Sequence, residues 1–248
     1  MFPIRDHNPS GRRPYVVYTL ILLNTGIFLS YWHIMGDDYR TARLFQTWAL
    51  IPGEVYSGYS LHTLVTSMFL HGGFMHLAGN MLFLWIFGDN LEDEMGHVGF
   101  LVFYLLAGLA AGLGQMAANP YSNVPMVGAS GAIAGVMGGY LLMFPRARVD
   151  VLLIIIIFFK IFTVPAWLML GLWFALQLVG SAGMDTASGG VAYWAHSGGF
   201  ISGALLALPL WLRRGGPRFW RRYAGQPPHP EARYKLTQSS IPSVRRRR

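Results

Sequence analysis

Six stretches of this chain are too long and too apolar for a water-soluble domain, and they limit the fold more than any other feature. They cover about residues 15–35, 73–90, 97–119, 127–144, 150–182 and 191–212. A helix crossing the hydrocarbon layer needs about 20 mostly apolar residues, and in that layer the backbone can satisfy its own N–H and C=O groups only as a helix or a closed barrel. Stretches of this length favour the helix, so the expected fold is all-α: a polytopic membrane protein with a bundle of six transmembrane helices. The charge content agrees, at 12% of residues against about 25% in soluble domains. The fifth stretch exceeds a single crossing and is interrupted by Lys160 and Pro165, so its first third is expected to be an interfacial piece or a loop. The first is too long for a removable signal peptide and lacks a small-residue cleavage site. With no cysteine in the chain, disulfides, thiolate catalysis and thiolate metal sites are all excluded.

The net charge of +8 is unevenly distributed. Arg5, Arg12 and Arg13 precede the first span, Arg146, Arg148 and Lys160 lie between the fourth and fifth, and eleven Lys or Arg follow the sixth. Six crossings put all of these on one side and leave Arg40 and Arg43 on the other, so both termini are expected in the cytoplasm. The chain divides into a cytoplasmic lead-in (1–14), a six-span domain (15–212) and a basic tail (213–248) expected to be unstructured. Beside six spans, the tail's cations suit anionic lipid headgroups better than nucleic acid.

Several polar groups stand inside or beside the spans. Asn24 in the first is expected to hydrogen-bond between helices. Residues 36–71 form a long connection whose Trp48, Tyr56, Tyr59 and Phe69 suit a partly inserted loop with short interfacial helices. The second span carries His76 and Asn80, four apart and so on one helix face, and ends in an acidic cluster, Asp89 to Glu94, expected to be a solvated terminus with Glu92 able to tie it to a neighbour. The fifth span has Gln177 as its one polar inward residue and looks like a lateral wall. Ser181 to Gly190 is a Gly/Ser connection expected to be mobile.

Residues 127–140 carry one hydroxyl, Ser130, among glycines at 128, 131, 135, 138 and 139. Taken alone, the pattern means close helix packing. Gly199 and Gly203 of the sixth span make a matching G-x-x-x-G face. If the spans alternate in direction, the second, fourth and sixth run the same way, and at about 1.5 Å per residue Ser130, His196, His76 and Asn80 lie at similar depth. An imidazole in reach can take the proton of a serine hydroxyl, and His76, Asn80 and the Ser130 backbone N–H can donate to the oxyanion formed on a peptide carbonyl. No carboxylate lies at that depth, so a Ser–His dyad is expected rather than a triad. His62, His71, His76 and His196 lack the spacing and the carboxylate of a metal site, and none is expected; His71 is read as structural.

Three segments then carry a resemblance: Gly128-Ala129-Ser130-Gly131, the run from Ala195 and His196 to Gly203, and His71-Gly72-Gly73-Phe74-Met75-His76-Leu77-Ala78-Gly79-Asn80. Together, over about residues 15–212, they resemble the rhomboid family of intramembrane serine proteases in its six-span bacterial form. The resemblance implies Ser130 as nucleophile, His196 as general base, and His76 and Asn80 as oxyanion-hole side chains. It implies no cofactor, transmembrane proteins as substrates, membrane lipids and not nucleic acid as surroundings, and a place in the bacterial plasma membrane with the site opening outward. It also makes the fifth span and the connection before the sixth a gate and a cap. Two positions depart from the pattern: Ala134 stands where some members have an aromatic residue packed on the imidazole, and His62-Thr63 where some have Trp-Arg. The same motifs also admit a non-proteolytic chaperone or binder of unstable transmembrane helices, but such a protein has no need of both Ser130 and His196. A transporter is disfavoured because no charged pair sits mid-membrane.

Overall fold

A computed structural model of the chain describes residues 2–8, 10–155, 158–183 and 191–223. The chain opens with a short strand, β1 (Phe2–Asp6), followed by α1 (Tyr15–Tyr31). The first N–H groups of a helix have no intrahelical partner. In α1 the carboxylate of Glu92, from the far end of a later helix, takes the N–H groups of Val16 and Val17 at 2.9 Å each. The long connection that follows holds α2 (Asp38–Trp48), α3 (Pro52–Tyr56) and α4 (Thr63–Thr66). Asp37 caps α2 by accepting the Arg40 N–H at 3.0 Å, and Pro52 opens α3, where its missing N–H costs nothing. His62 bonds the Thr47 carbonyl at 2.9 Å and Thr63 is buried, which fixes this connection at the two departing positions.

A bend of 94° separates Thr63–Phe69 from α5 (Phe74–Met95). At Gly96, φ is +73°, a conformation that favours glycine, and the chain turns there into α6 (His97–Ala118). After an extended stretch come α7 (Ser130–Met143), β2 (Arg148–Ile155), β3 (Phe158–Pro165), α8 (Ala166–Gly183), α9 (Tyr193–Arg213) and α10 (Pro217–Tyr223). Among the described residues, three helices are long and apolar enough to cross a membrane: Tyr15–Ile34, His97–Ala118 and Tyr193–Arg213. The bent pair Thr63–Phe69 and Phe74–Met95 makes a fourth if it counts as one span, and α7 and α8 are apolar but shorter.

At the centre lies α7, buried continuously from Gly131 to Tyr140. Its glycines let two neighbours touch its backbone. A Cβ placed on Gly199 would sit 2.2 Å from the Gly131 carbonyl oxygen, and one on Gly203 would sit 2.0 Å from that of Gly135. On the α6 side, Ala107 and Ala111 fill the space that side chains at Gly135 and Gly131 would need. The expected mating of the two glycine faces is thus how α9 meets α7.

Five expectations need correction. The fold is mostly helical but not all-α, because β1, β2 and β3 form an antiparallel sheet in the order β1-β2-β3. The first part of the fifth apolar stretch is the β2–β3 hairpin, paired from Arg148↔Pro165 to Ile155↔Phe158. Val149 and Val151 are buried while Arg148 is exposed, and β-branched residues at such positions suit a pleated, half-buried surface. Asp150 joins all three strands: Arg5 Nε and His7 Nε2 each lie 2.8 Å from its carboxylate, and Thr163 Oγ1 donates to it at 2.6 Å.

The acidic end of α5 is a buried joint and not a solvated terminus. Besides capping α1, Glu92 meets His97; Asp93 accepts the Gly11 N–H at 2.7 Å, and Glu94 pairs with Arg214 at 2.6 Å. A carboxylate is retained at such depth because it is repaid in charge-assisted hydrogen bonds. Asn24 bonds within its own helix, donating to the Leu20 carbonyl at 2.7 Å. Finally, the segment after Arg213 begins with α10, where Phe219 is buried and Trp220 donates to the Leu142 carbonyl at 2.9 Å; the rest of the tail, like the core of the Gly/Ser connection at residues 184–190, lies outside the described residues.

Candidate active site

Ser130 is the first residue of α7, and the segment leading to it is held by the α1–α5 connection. Leu50 and Met126 exchange two backbone hydrogen bonds, at 3.0 and 2.8 Å, and the Gly128 N–H donates to the Ser67 carbonyl at 2.9 Å. His196 sits in the first turn of α9. That helix start is fixed by Gln115 of α6, whose side-chain oxygen accepts the Ala195 N–H at 3.2 Å. With the α7 and α9 backbones in contact below, the imidazole is carried over the serine: His196 Nε2 lies 2.8 Å from Ser130 Oγ.

The second imidazole nitrogen decides what the first can do. His196 Nδ1 lies 2.9 Å from Gln177 Oε1 on α8. The orientation of that amide is set independently, because Gln177 Nε2 donates to the Trp173 carbonyl at 3.3 Å. An amide oxygen only accepts, so Nδ1 carries the hydrogen and Nε2 presents a lone pair to the serine hydroxyl. The Trp173 ring lies 5.8 Å from the imidazole, tilted by 35°. Ala134 is fully buried, so the aromatic neighbour of His196 comes from α8 instead of from α7.

His76 and Asn80 reach the same place from α5. Both line, with Ser130 and His196, one cavity of about 560 Å³. The Gly72 N–H donates to His76 Nδ1 at 3.3 Å, which leaves Nε2 as the protonated, donating nitrogen. Gly128, at φ +127°, lets this ring come close: a Cβ there would stand 2.8 Å from His76 Nε2 and 3.5 Å from Ser130 Oγ. The vacancy left by the missing side chain is therefore flanked by a donor and by the serine oxygen. Asn80 Nδ2 is buried and has no hydrogen-bond partner among the described residues. Leaving such a donor unpaired costs about 1–3 kcal/mol.

All four residues expected at the site from sequence are thus in one cavity. His71 is not in its wall. Its backbone N–H and C=O are both held by the Tyr31 hydroxyl, at 2.7 and 2.9 Å, and its ring packs 5.2 Å from that of His76. Sequence reasoning noted Gln177 as the polar inward residue of its span without giving it a role at the site, and gave Trp173 none. The signal for Gln177 was available: a single amide in an otherwise apolar helix must find a partner in the bundle.

Comparison with known proteins gives the chain a family. A family model described as the Rhomboid domain matches residues 58–213. The chain is 30% identical over 197 residues to Rhomboid protein 1, mitochondrial, of Saccharomyces cerevisiae, covering 77% of this chain and 51% of that protein. It is 32% identical over 132 residues to Rhomboid-like protein 11, chloroplastic, of Arabidopsis thaliana, covering 53% and 43%. It is also 33% identical over 160 residues to Rhomboid protease GluP of Bacillus subtilis, covering 62% and 27%. The chain spans about half or less of the length of these curated relatives. The family match takes in α4 to α9 and every residue of the cavity just described that came from sequence, so this chain is a membrane protein of the rhomboid family.

Proposed function

We propose that the chain is an intramembrane serine endopeptidase that hydrolyses peptide bonds in or near transmembrane segments of other membrane proteins. The observation that carries this reading is the 2.8 Å contact between Ser130 Oγ and Nε2 of His196. Family membership supports it, since some of the relatives are named proteases.

In the reaction, Ser130 Oγ attacks the scissile carbonyl carbon as its proton passes to His196 Nε2. The carbonyl oxygen becomes an oxyanion beside Gly128, where His76 Nε2–H, Asn80 Nδ2–H and the N–H of Ser130 at the start of α7 are ready to donate. Collapse of this intermediate breaks the C–N bond, and the imidazolium returns its proton to the leaving amine. A water activated by the same imidazole then attacks the acyl-serine ester, and expulsion of Ser130 Oγ frees the second product. No step requires a cofactor.

In this reading α1, α5, α6, α7, α8 and α9 are the six spans, with α7 and α8 reaching across by virtue of the loops and strands that continue them. The Arg and Lys residues before α1, around β2 and after α9 set both termini in the cytoplasm of a bacterial cell. The cavity then opens to the outer side, and the substrates are transmembrane proteins. Purified protein in liposomes with a labelled single-span substrate tests the proposal. Wild type is expected to cleave it, and Ser130→Ala and His196→Ala each to lose at least about 10³-fold in rate. Binding of the substrate with no product in wild type would instead mark a binder of transmembrane helices. A fluorophosphonate is expected to label Ser130 and not Ser197, whose side chain is buried; labelling that persists in Ser130→Ala would refute the nucleophile.

A further inference from the structure

We infer that Gln177 is the positioning residue of the catalytic base: it holds His196 in the Nδ1–H tautomer and aims Nε2 at Ser130. The inference rests on the dyad reading above and adds to it the group that orients the imidazole. A neutral imidazole has two tautomers, and only one leaves Nε2 free to accept the serine proton. Where a carboxylate does this work, it also attracts the imidazolium; here a neutral amide supplies the direction without the charge. The amide cannot be turned round at no cost, because its NH₂ group is committed to the Trp173 carbonyl one turn earlier. Gln177 is buried, so water does not compete for its oxygen.

The location of this residue adds a mechanical consequence. Serine and imidazole belong to α7 and α9, whose backbones touch, but the orienting oxygen belongs to α8. Helix α8 meets α9 through rings, with Phe174 stacked on Phe200 at 4.5 Å and Trp173 6.1 Å from Phe200. Moving α8 away from α9 therefore withdraws the Gln177 oxygen and the Trp173 ring from His196 together. The base is held only while α8 is seated.

The test uses the full chain in micelles and in liposomes, with Gln177→Leu, which keeps the shape and loses the acceptor, and Gln177→Glu, which keeps an acceptor. Nitrogen-15 spectra of histidine-labelled protein, with His196 assigned by its absence in His196→Ala, report the tautomer directly. Wild type is expected to show His196 protonated on Nδ1. Gln177→Leu should lose that signature and lower kcat by about 100-fold with KM little changed, while Gln177→Glu should keep the tautomer and stay within several-fold of wild-type kcat. Unaltered tautomer and turnover in Gln177→Leu would overturn the inference and leave the dyad standing. If wild type cleaves nothing yet the tautomer still follows residue 177, the hydrolase reading fails and the positioning assignment survives. Should Gln177→Leu fail to fold, Gln177→Glu decides: loss of its Nδ1–H signature overturns the inference, and retention supports it.

Discussion

At the scale of single residues, the cavity is built as much by what is missing as by what is present. Gly128 has no side chain where one would collide with His76, and Asn80 has a buried donor with no hydrogen-bond partner among the described residues. Both features carry a cost in the resting protein, one in backbone conformation and one in an unpaired polar group. Asn80→Leu is therefore expected to keep or raise the melting temperature while lowering kcat by about 100-fold, the usual loss for one oxyanion donor. Circular dichroism melts and turnover of the same preparations check both halves. A variant that lost stability and kept activity would make Asn80 a structural amide. Gly128→Ala should abolish turnover, because the added methyl both strains a positive φ and pushes the His76 ring from the oxyanion position.

The elements show which parts of the sequence could be read directly. At the α7–α9 crossing, Gly203→Ala would place a methyl 2.0 Å from the Gly135 oxygen, so the helices must separate. This overpacking is expected to cost about 1–3 kcal/mol, seen as a lower unfolding midpoint in micelles. Gly26, within α1, has no atom within 4 Å of its missing Cβ, and Gly26→Ala serves as the control, expected to be at least as stable as wild type. Such crossings were readable because G-x-x-x-G has a local meaning, and so was the serine at the start of α7. The β2–β3 hairpin was not. Its Val, Leu, Ile and Phe residues are as apolar as those of a span, and a hydropathy count cannot separate a sheet's run from a helix's; only the density of β-branched residues hinted at strands. Gln177 stood out as the one amide of its span, but its partner was hidden for a different reason. It stands nineteen residues from His196 on another helix, and no periodicity links positions that only tertiary packing brings together. Glu92 does tie α5 to a neighbour as expected, but that the neighbour is the start of α1 was hidden in the same way.

Across the whole molecule, two carboxylates at the sheet end respond to pH in opposite senses. The Thr163 hydroxyl, then His7 and Arg5, hold the Asp150 carboxyl well below the usual carboxylate range. Its contribution to stability is therefore present above about pH 4 and disappears as the solution becomes more acidic. Burial, reinforced by Asp89, pushes the Asp6 carboxyl up to about 7 against the opposing bond from the Tyr140 hydroxyl. A raised acid favours folding in its protonated form, so its contribution is complete below about pH 4 and is lost as pH rises through about 7. Asp6→Asn is expected to lessen the fall of the melting temperature between these limits and to raise it on the alkaline side, whereas Asp150→Asn should lower it at neutral pH. Differential scanning fluorimetry over that range distinguishes the two.

One dimension of α7 bears on the space around Ser130. Its 14 residues extend about 21 Å, less than the roughly 30 Å of a hydrocarbon layer. Enclosed by its neighbours from Gly131 to Tyr140, the helix meets protein there and not lipid, and Met126, Val127 and Gly128, just before the serine, line the cavity instead of continuing the helix. Continued backward, the helix would fill the room in which, in the proposed reaction, a substrate carbonyl meets the hydroxyl.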